Sequence, residues 1–289
     1  VMDKVIRNAL HSIGDQTPIE SMKQVSGGDI NQSYYIRTNK QPYFIKGNEG
    51  VPSHFFKVEA DGLERIQKTR TIQVPQVHYY DEPENGEKGV LVMDWIQQSG
   101  QASPEELGRN LALMHKETAD HYGLGHSTFV GELDQPNDWK TSWLDYYRDY
   151  RLAPQLQLAI QNGRASAKRR SKLEALLEKL DQWIPEKPEA SLLHGDLWGG
   201  NWMSDAEGRP YLIDPSVLYG DHAFELAFTE LFGGFPSSFY KAYEQTFPLP
   251  SNYEEVKPLY QLFYLLVHLN MFGESYGSSV DRILNHYTD

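Results

Sequence analysis

Two acids and an amide carry most of the chemical content of this chain. In Leu192-Leu193-His194-Gly195-Asp196-Leu197-Trp198-Gly199-Gly200-Asn201-Trp202, two apolar residues approach a carboxylate, and an amide stands five positions after it. A second acidic step, Leu212-Ile213-Asp214, ends 18 positions after Asp196. That layout suits phosphoryl transfer. Asp196 would orient a hydroxyl nucleophile and take its proton late, while Asn201 and Asp214 supply the oxygen ligands that magnesium prefers and hold the ion on the phosphates of ATP. His194 reads as a scaffold residue bonded to the loop backbone. Asp221 reads as a helix cap that also braces the loop.

Lys46 closes the strand Tyr43-Phe44-Ile45-Lys46, where a lysine is commonly just solvated. Glu59 changes that reading. Phe56, Leu63 and Ile66 form the buried stripe of a helix over 54–68, and position 59 falls on the same stripe. A carboxylate facing a core needs a cation, and Lys46–Glu59 is the lysine–helix glutamate pair of kinase-like phosphate sites. Gly27 and Gly28, within Ser26-Gly27-Gly28-Asp29-Ile30-Asn31, let backbone N–H groups approach phosphate oxygens. The segment does not fit G-x-G-x-x-G, and Gly-Gly is also a common hairpin turn. Met93-Asp94-Trp95 ends a strand whose backbone would meet an adenine edge, with Met93 near the ring; a buried strand that simply ends here is the other reading.

The elements that must position these groups fall into two sets. Helical spacing over 2–13 stops at Gly14, strands are predicted at 19–25, 32–38, 42–46, 77–80 and 89–95, and the helix over 54–68 lies among them. The remainder is mainly helical. Ser103-Pro104-Glu105-Glu106 reads as a capping box opening a helix that buries Leu107, Leu111 and Met114. A helix over 171–184 gathers Leu173, Leu176, Leu177, Leu180 and Trp183, strands at 191–193 and 211–213 bracket the Asp196 loop, Asp221 opens a further helix, and an apolar helix over 258–272 stops at Gly273. The sum is an α+β, two-lobed protein-kinase-like fold: a small antiparallel-sheet N-lobe over 1–96 and a larger, mainly helical C-lobe over 97–289, with nucleotide in the cleft between them. Asp214 is followed by Pro215-Ser216, and only seven positions separate it from Asp221. That is too little chain for a phosphorylation-ordered activation loop, so a small-molecule kinase is expected rather than a regulated protein kinase.

Bulk properties agree. The 289 residues suffice for one large domain or two lobes. No apolar run approaches the roughly 18–20 residues of a membrane span. Cysteine is absent, which excludes disulfides and thiolate metal sites. The net charge of −13 repels nucleic acid and anionic membrane and tolerates a cationic substrate. With no charged-then-apolar leader, a cytoplasmic address is expected.

His194-Gly195-Asp196-Leu197-Trp198-Gly199-Gly200-Asn201 resembles the catalytic loop of the fructosamine kinases, or ketosamine 3-kinases. Aminoglycoside phosphotransferase relatives share the His-Gly-Asp and the later Asn. The Leu-Trp-Gly-Gly insert narrows the match, as do Ile213-Asp214-Pro215, Tyr219-Gly220-Asp221-His222-Ala223-Phe224-Glu225-Leu226-Ala227 and His268-Leu269-Asn270-Met271-Phe272-Gly273. The resemblance implies ATP-dependent phosphorylation of the 3-hydroxyl of a fructosamine or ribulosamine, free or protein-bound, giving an unstable phosphate that sheds the sugar: a deglycation step. Trp198 would then stack on the sugar-amine or merely shape the loop, and His268 and Asn270 would line the same pocket. A kinase of another small cationic alcohol (aminoglycoside, choline or thiosugar) is an alternative. A nucleotide-binding pseudokinase adaptor fits poorly, because the set Lys46, Glu59, Asp196, Asn201 and Asp214 is complete. Oligomeric state, the preferred amine and the role of 125–138 stay open.

Overall fold

The structure, a computed structural model, describes residues 2–26 and 30–289. The expected phosphate contacts of Gly27 and Gly28 therefore lie outside the described residues. Helix α1 (Asp3–Ser12) buries Ile6, Ala9 and Leu10. Strands β1 (Ile19–Val25), β2 (Gln32–Thr38) and β3 (Pro42–Glu49), helix α2 (Phe55–Thr69), and strands β4 (Val77–Tyr80) and β5 (Lys88–Asp94) complete the N-lobe. The five strands form one antiparallel sheet in the order β1-β2-β3-β5-β4. Strand β3 runs three residues beyond the expected 42–46, because Gly47, Asn48 and Glu49 continue the ladder opposite Val90, Gly89 and Lys88.

The alternation along β3 divides the sheet's faces. Tyr43 and Ile45 join Ile36, Val90 and Val92 beneath α1 in a small outer core. Phe44 and Lys46 face the other way, where α2 packs. There Phe56, Ala60, Leu63 and Ile66 share one buried cluster with Leu91, Met93 and the helical lobe. Asp15 clips the outer core shut. Its buried carboxylate accepts hydrogen bonds from the Thr17 N–H (3.1 Å), Thr38 Oγ1 (2.6 Å) and Tyr43 Oη (2.8 Å).

The C-lobe runs α3 (Pro104–His115), β6 (Thr118–Ala119), β7 (Thr128–Val130), β8 (Leu133–Gln135), α4 (Trp143–Tyr146), a π-helical turn (Tyr147–Leu152), α5 (Ala153–Gln161), α6 (Ala167–Lys179), β9 (Ala190–Leu193), β10 (Trp202–Ser204), β11 (Pro210–Leu212), β12 (Leu218–Gly220), α7 (His222–Thr229), α8 (Ser237–Thr246), α9 (Tyr253–Phe272) and α10 (Gly277–Thr288). The segment 125–138 contains the small β7–β8 hairpin. Three sequence expectations need correction. Ser103 stands at the N-cap of α3 but its side chain makes no cap bond, so the capping box is not formed and Pro104 alone marks the start. Helix α6 begins earlier than expected, where Ser166 accepts from the Arg169 N–H, and tightens to a 3-10 turn at Leu180. Helix α9 starts at Tyr253, with Pro258 inside it at the cost of one backbone bond. Among the described residues, no helix is long and apolar enough to cross a membrane.

Burial alone would push the Asp15 carboxyl up, but its hydrogen bonds outweigh this and lower it from 3.8 to about 2. A depressed folded-state value stabilises the fold above the unfolded value and is lost as pH falls through the folded one. We expect Asp15→Asn to cost roughly 2 kcal/mol at pH 7. The difference from wild type should shrink between about pH 4 and pH 2. Urea midpoints measured across that window check both, and a gap that stays constant with pH would remove Asp15 from the acid limb.

Candidate active site

The loop that follows β9 is shaped by backbone before any side chain acts. Strand β9 is flanked by β12 and β6 and delivers His194 fully buried. Gly195 follows with φ 93°, and a Cβ there would lie 1.7 Å from the Ser216 carbonyl oxygen, so no other residue fits. The chain then passes Asp196 and a 3-10 turn, Gly199–Asn201, and returns along the β10–β11 hairpin to Asp214. Two bonds tie the outward and return paths: Ser216 N–H to His194 O (2.8 Å) and Ile213 N–H to Asn201 O (3.0 Å). His194 plays the scaffold part expected of it. Its Nδ1 accepts the Asp196 N–H (3.1 Å), which leaves the proton on Nε2 to donate to Ile213 O (2.6 Å). Burial pushes its pKa down, keeping the ring neutral.

On this frame the predicted residues converge. Lys46 Nζ, from β3, bonds Glu59 of α2 at 2.7 Å and makes a close ion pair with Asp214 across the cleft. Burial opposes the ammonium, but the charges of Asp214 and Glu59 outweigh it and hold its pKa above the ordinary lysine value. Glu59 is raised, by burial first, against the pull of Lys46. Asn201 donates its amide to the Asp196 backbone oxygen (2.8 Å) and more weakly to Asp196 Oδ2 (3.4 Å). Its Oδ1 takes no hydrogen bond among the described residues. The Asp196 carboxyl is pushed up to about 8, by burial first and then by the charges of Asp214 and Glu225. The centre thus gathers carboxylates faster than it gathers cations, which is the electrostatic state of a site built for a divalent ion and phosphate-bound charge.

Glu225 is the residue that sequence reasoning missed. Its carboxylate accepts the backbone N–H groups of His194 (2.9 Å) and Gly195 (2.8 Å) and meets His115 Nε2 at 2.6 Å. Asp221, expected to brace the loop, does not. It caps α7 through the Ala223 N–H and accepts the Tyr260 hydroxyl (2.6 Å). The signal for Glu225 was present: all eight residues of α7 are buried, and a carboxylate inside an apolar helix demands partners, the same reasoning that found Glu59.

The remaining candidates scatter. Met93 is buried in the core beneath the sheet. Asp94 gives its N–H to Gln76 O (2.9 Å) and its carboxylate to His78 (2.7 Å) and Gln41 (3.3 Å). Trp95 stands edge-on to Tyr35 (4.7 Å between centroids) and near Phe44 (6.0 Å). Phe44 shares the sheet face of Lys46 and is opposite Tyr35 in register, so these rings roof the cleft, an aromatic surface not anticipated from the sequence. Trp198 is 46% exposed, yet its ring lies across Gly200, where a Cβ would come within 2.2 Å of it. It therefore both shapes the loop and presents an open face. His268 bonds its own helix at Tyr264 O and sits among Phe232, Phe272 and Tyr276. Asn270 is tied instead to Gln155 of α5, through O (3.0 Å) and Oε1 (2.9 Å). That pairing turns its amide to the helical scaffold, and no contact among the described residues joins it to the Asp196 loop.

The family profile described as fructosamine kinase matches residues 1–289. A protein of Enterococcus faecium assigned by name as a ketoamine kinase is 38% identical over 264 residues, covering 91% of this chain and 94% of that one. A protein-ribulosamine 3-kinase of Arabidopsis thaliana is 34% identical over 288 residues, 98% of this chain and 87% of its own. A crystal structure assigned as a fructosamine-3-kinase of Haemophilus somnus superposes with a TM-score of 0.88 at 28% identity, covering 99% of this chain and 97% of that one. An aminoglycoside phosphotransferase solved with AMP-PNP and hygromycin B reaches 0.66 at 15% identity, covering 96% and 98%, which speaks to the fold alone.

The brace makes a prediction. Glu225→Gln keeps the shape but turns an amide toward three donors. It should lower stability by about 3 kcal/mol, since it breaks a buried charged network from one side. An unchanged unfolding midpoint in urea would show that the carboxylate does not hold the loop.

Proposed function

Because the chain belongs to the fructosamine kinase family, we propose that it is an ATP-dependent ketosamine kinase acting on the 3-hydroxyl of a fructosamine or ribulosamine. The observation that carries the reading is the contact of Lys46 with both Glu59 and Asp214, which brings the N-lobe lysine to the return path that backbone bonds tie to His194 and Asn201. In the reaction the substrate O3 bonds to the γ-phosphorus. The bond from that phosphorus to the β–γ bridging oxygen breaks, its electron pair leaves with ADP, and Asp196 receives the hydroxyl proton as the carboxylate, the form that a cation beside Asp214 would favour by offsetting the charges that raise it. Lys46 holds the phosphates, and the Tyr35–Phe44–Trp95 roof offers rings for adenine.

The donor set fits magnesium. Asn201 Oδ1 carries no hydrogen bond, and with the Asp214 carboxylate it offers hard oxygens of the kind that ion takes. When bound, the ion would offset phosphate charge. The same proposal places the lobe boundary at 96/97, between β5 and α3, and the activity in the cytoplasm. The exposed face of Trp198 is the surface we assign to the sugar-amine. The acidic surface, net −13, suits the amine but does not choose between ketosamines and other cationic alcohols.

Two expected outcomes test this. ADP release should respond to a fructosyl- or ribulosyl-amine and not to an aminoglycoside; the reverse pattern would transfer the assignment to another cationic alcohol. Asp196→Ala should cut kcat by about 10²–10⁴ with ATP affinity largely kept, whereas Lys46→Met should raise the KM for ATP. Undiminished turnover in the first variant would remove Asp196 from proton transfer.

A further inference from the structure

The segment 125–138, to which the sequence assigns no role, stands beside the two carriers of the carboxylates that hold Lys46. Its β7–β8 hairpin pairs Thr128 with Gln135 and Val130 with Leu133. The root of the hairpin is fixed to the helical lobe. Asn137 is fully buried, accepts the Tyr146 hydroxyl at Oδ1 (2.6 Å) and donates to Thr128 Oγ1 (3.2 Å). Gln135, also buried, donates to Tyr150 O (2.6 Å). Buried polar groups are costly to leave unpaired, so these bonds make the hairpin a rigid post.

From that post the hairpin grips two elements. Ser216, two residues after Asp214, donates its hydroxyl to Phe129 O (2.8 Å), and Asn137 Nδ2 donates to Val217 O (3.3 Å). The Phe129 ring lies against the start of α2, with its centroid 5.0 Å from that of His54 and 5.1 Å from that of Phe55. Phe55 stands one turn before Glu59, on the same side of α2. The tip extends the bridge. A Cβ on Gly131 would lie 3.3 Å from Met271 Cε of α9 and 3.4 Å from Ile30 Cδ1 of the N-lobe. Helix α2 also rests directly on the return path, where a Cβ on Gly62 would lie 3.5 Å from the Val217 methyls.

We propose that the hairpin is the strut that keeps Glu59 and Asp214 in joint reach of Lys46, with Phe129 as the positioning residue for the lysine's hold on phosphate. The seven positions between Asp214 and Asp221 are too few to form a bracing loop of their own. The hairpin supplies that brace from another part of the chain. The Ser216 bond fixes the Asp214 side, the Phe129 ring fixes the Glu59 side, and one pair of strands sets the span between them. Without the ring the first turn of α2 is freed, Glu59 drifts from Lys46, and the ammonium is no longer held where phosphate charge arrives. Phe129 acts through Glu59 and not by contact with the reacting groups. The inference rests on ATP as the phosphoryl donor, but not on which alcohol receives the phosphate.

Calorimetric binding of AMP-PNP with magnesium to the full chain tests this without any acceptor. Phe129→Ala should raise the Kd about tenfold, the scale of one lost aromatic pair. Phe129→Tyr, which keeps the ring, should bind like wild type. In a Glu59→Gln background the alanine change should have no further effect, because the ring acts through that carboxylate. An unchanged Kd in Phe129→Ala, or the same rise in the Glu59→Gln background, overturns the proposal. A wild-type measurement covers a variant that does not fold. If the hairpin favours nucleotide binding, nucleotide must favour the seated hairpin by the same factor. Amide hydrogen exchange over 128–135 and 54–59 should therefore slow together when AMP-PNP binds. Slowing at 54–59 with 128–135 unchanged overturns the strut. A wild type that binds no AMP-PNP sinks the ATP reading, and the strut with it, whereas the other adverse results sink the strut alone.

Discussion

One buried ammonium ties the two halves of the molecule together. Lys46 reaches from a strand of the sheet to a helix on one side and to the loop after β11 on the other, and both partners are carboxylates. A lone lysine at that depth would be costly, so the sheet, α2 and the return path of the hairpin must keep their relative places for the cation to stay satisfied. The cleft is thus assembled around charge, and the apolar packing of α2 against the helical lobe supplies the stiffness that keeps the charges in register.

The other fixed point is the buried Glu225. Its oxygens fasten the turn at His194 and Gly195, while Tyr264 of α9 donates its hydroxyl to Gly195 O (3.2 Å) and stacks face to face on Phe228 of α7. Burial would raise Glu225, but the hydrogen bonds from His115 and the Gly195 N–H help bring it below the ordinary glutamate value. A carboxylate kept ionised under the loop adds to the negative field at Asp196, so the scaffold and the electrostatics of the site are one arrangement.

Local rules exposed much of this. Strands β1, β2 and β4 fall at the bounds read from the sequence, and the stripe of α2 follows from helical spacing, with Phe56, Leu63 and Ile66 buried. Lys46, Glu59, Asp196, Asn201 and Asp214 were legible because charged and amide groups on or beside apolar segments are informative. Glu225 sits on an apolar helix that called for a partner, but the partners themselves, His115 and backbone amides 30 and 31 residues away, leave no local pattern. The aromatic roof over the cleft depends on β2–β3 register, and Asn270 on a contact with α5 that is 115 residues distant. The Ser103 cap failed for the opposite reason: the motif was present, but the chain enters the helix without using it.

Asp214 occupies the left-handed backbone region, with φ 53°, a conformation that among L-residues asparagine and aspartate tolerate best. Its ion pair with Lys46 requires a negative side chain as well. Glutamate has the charge without the backbone preference, and asparagine the backbone preference without the charge. Two independent filters therefore overlap on a single amino acid, and sequence drift at this position should be narrower than at any neighbouring site where only one filter applies.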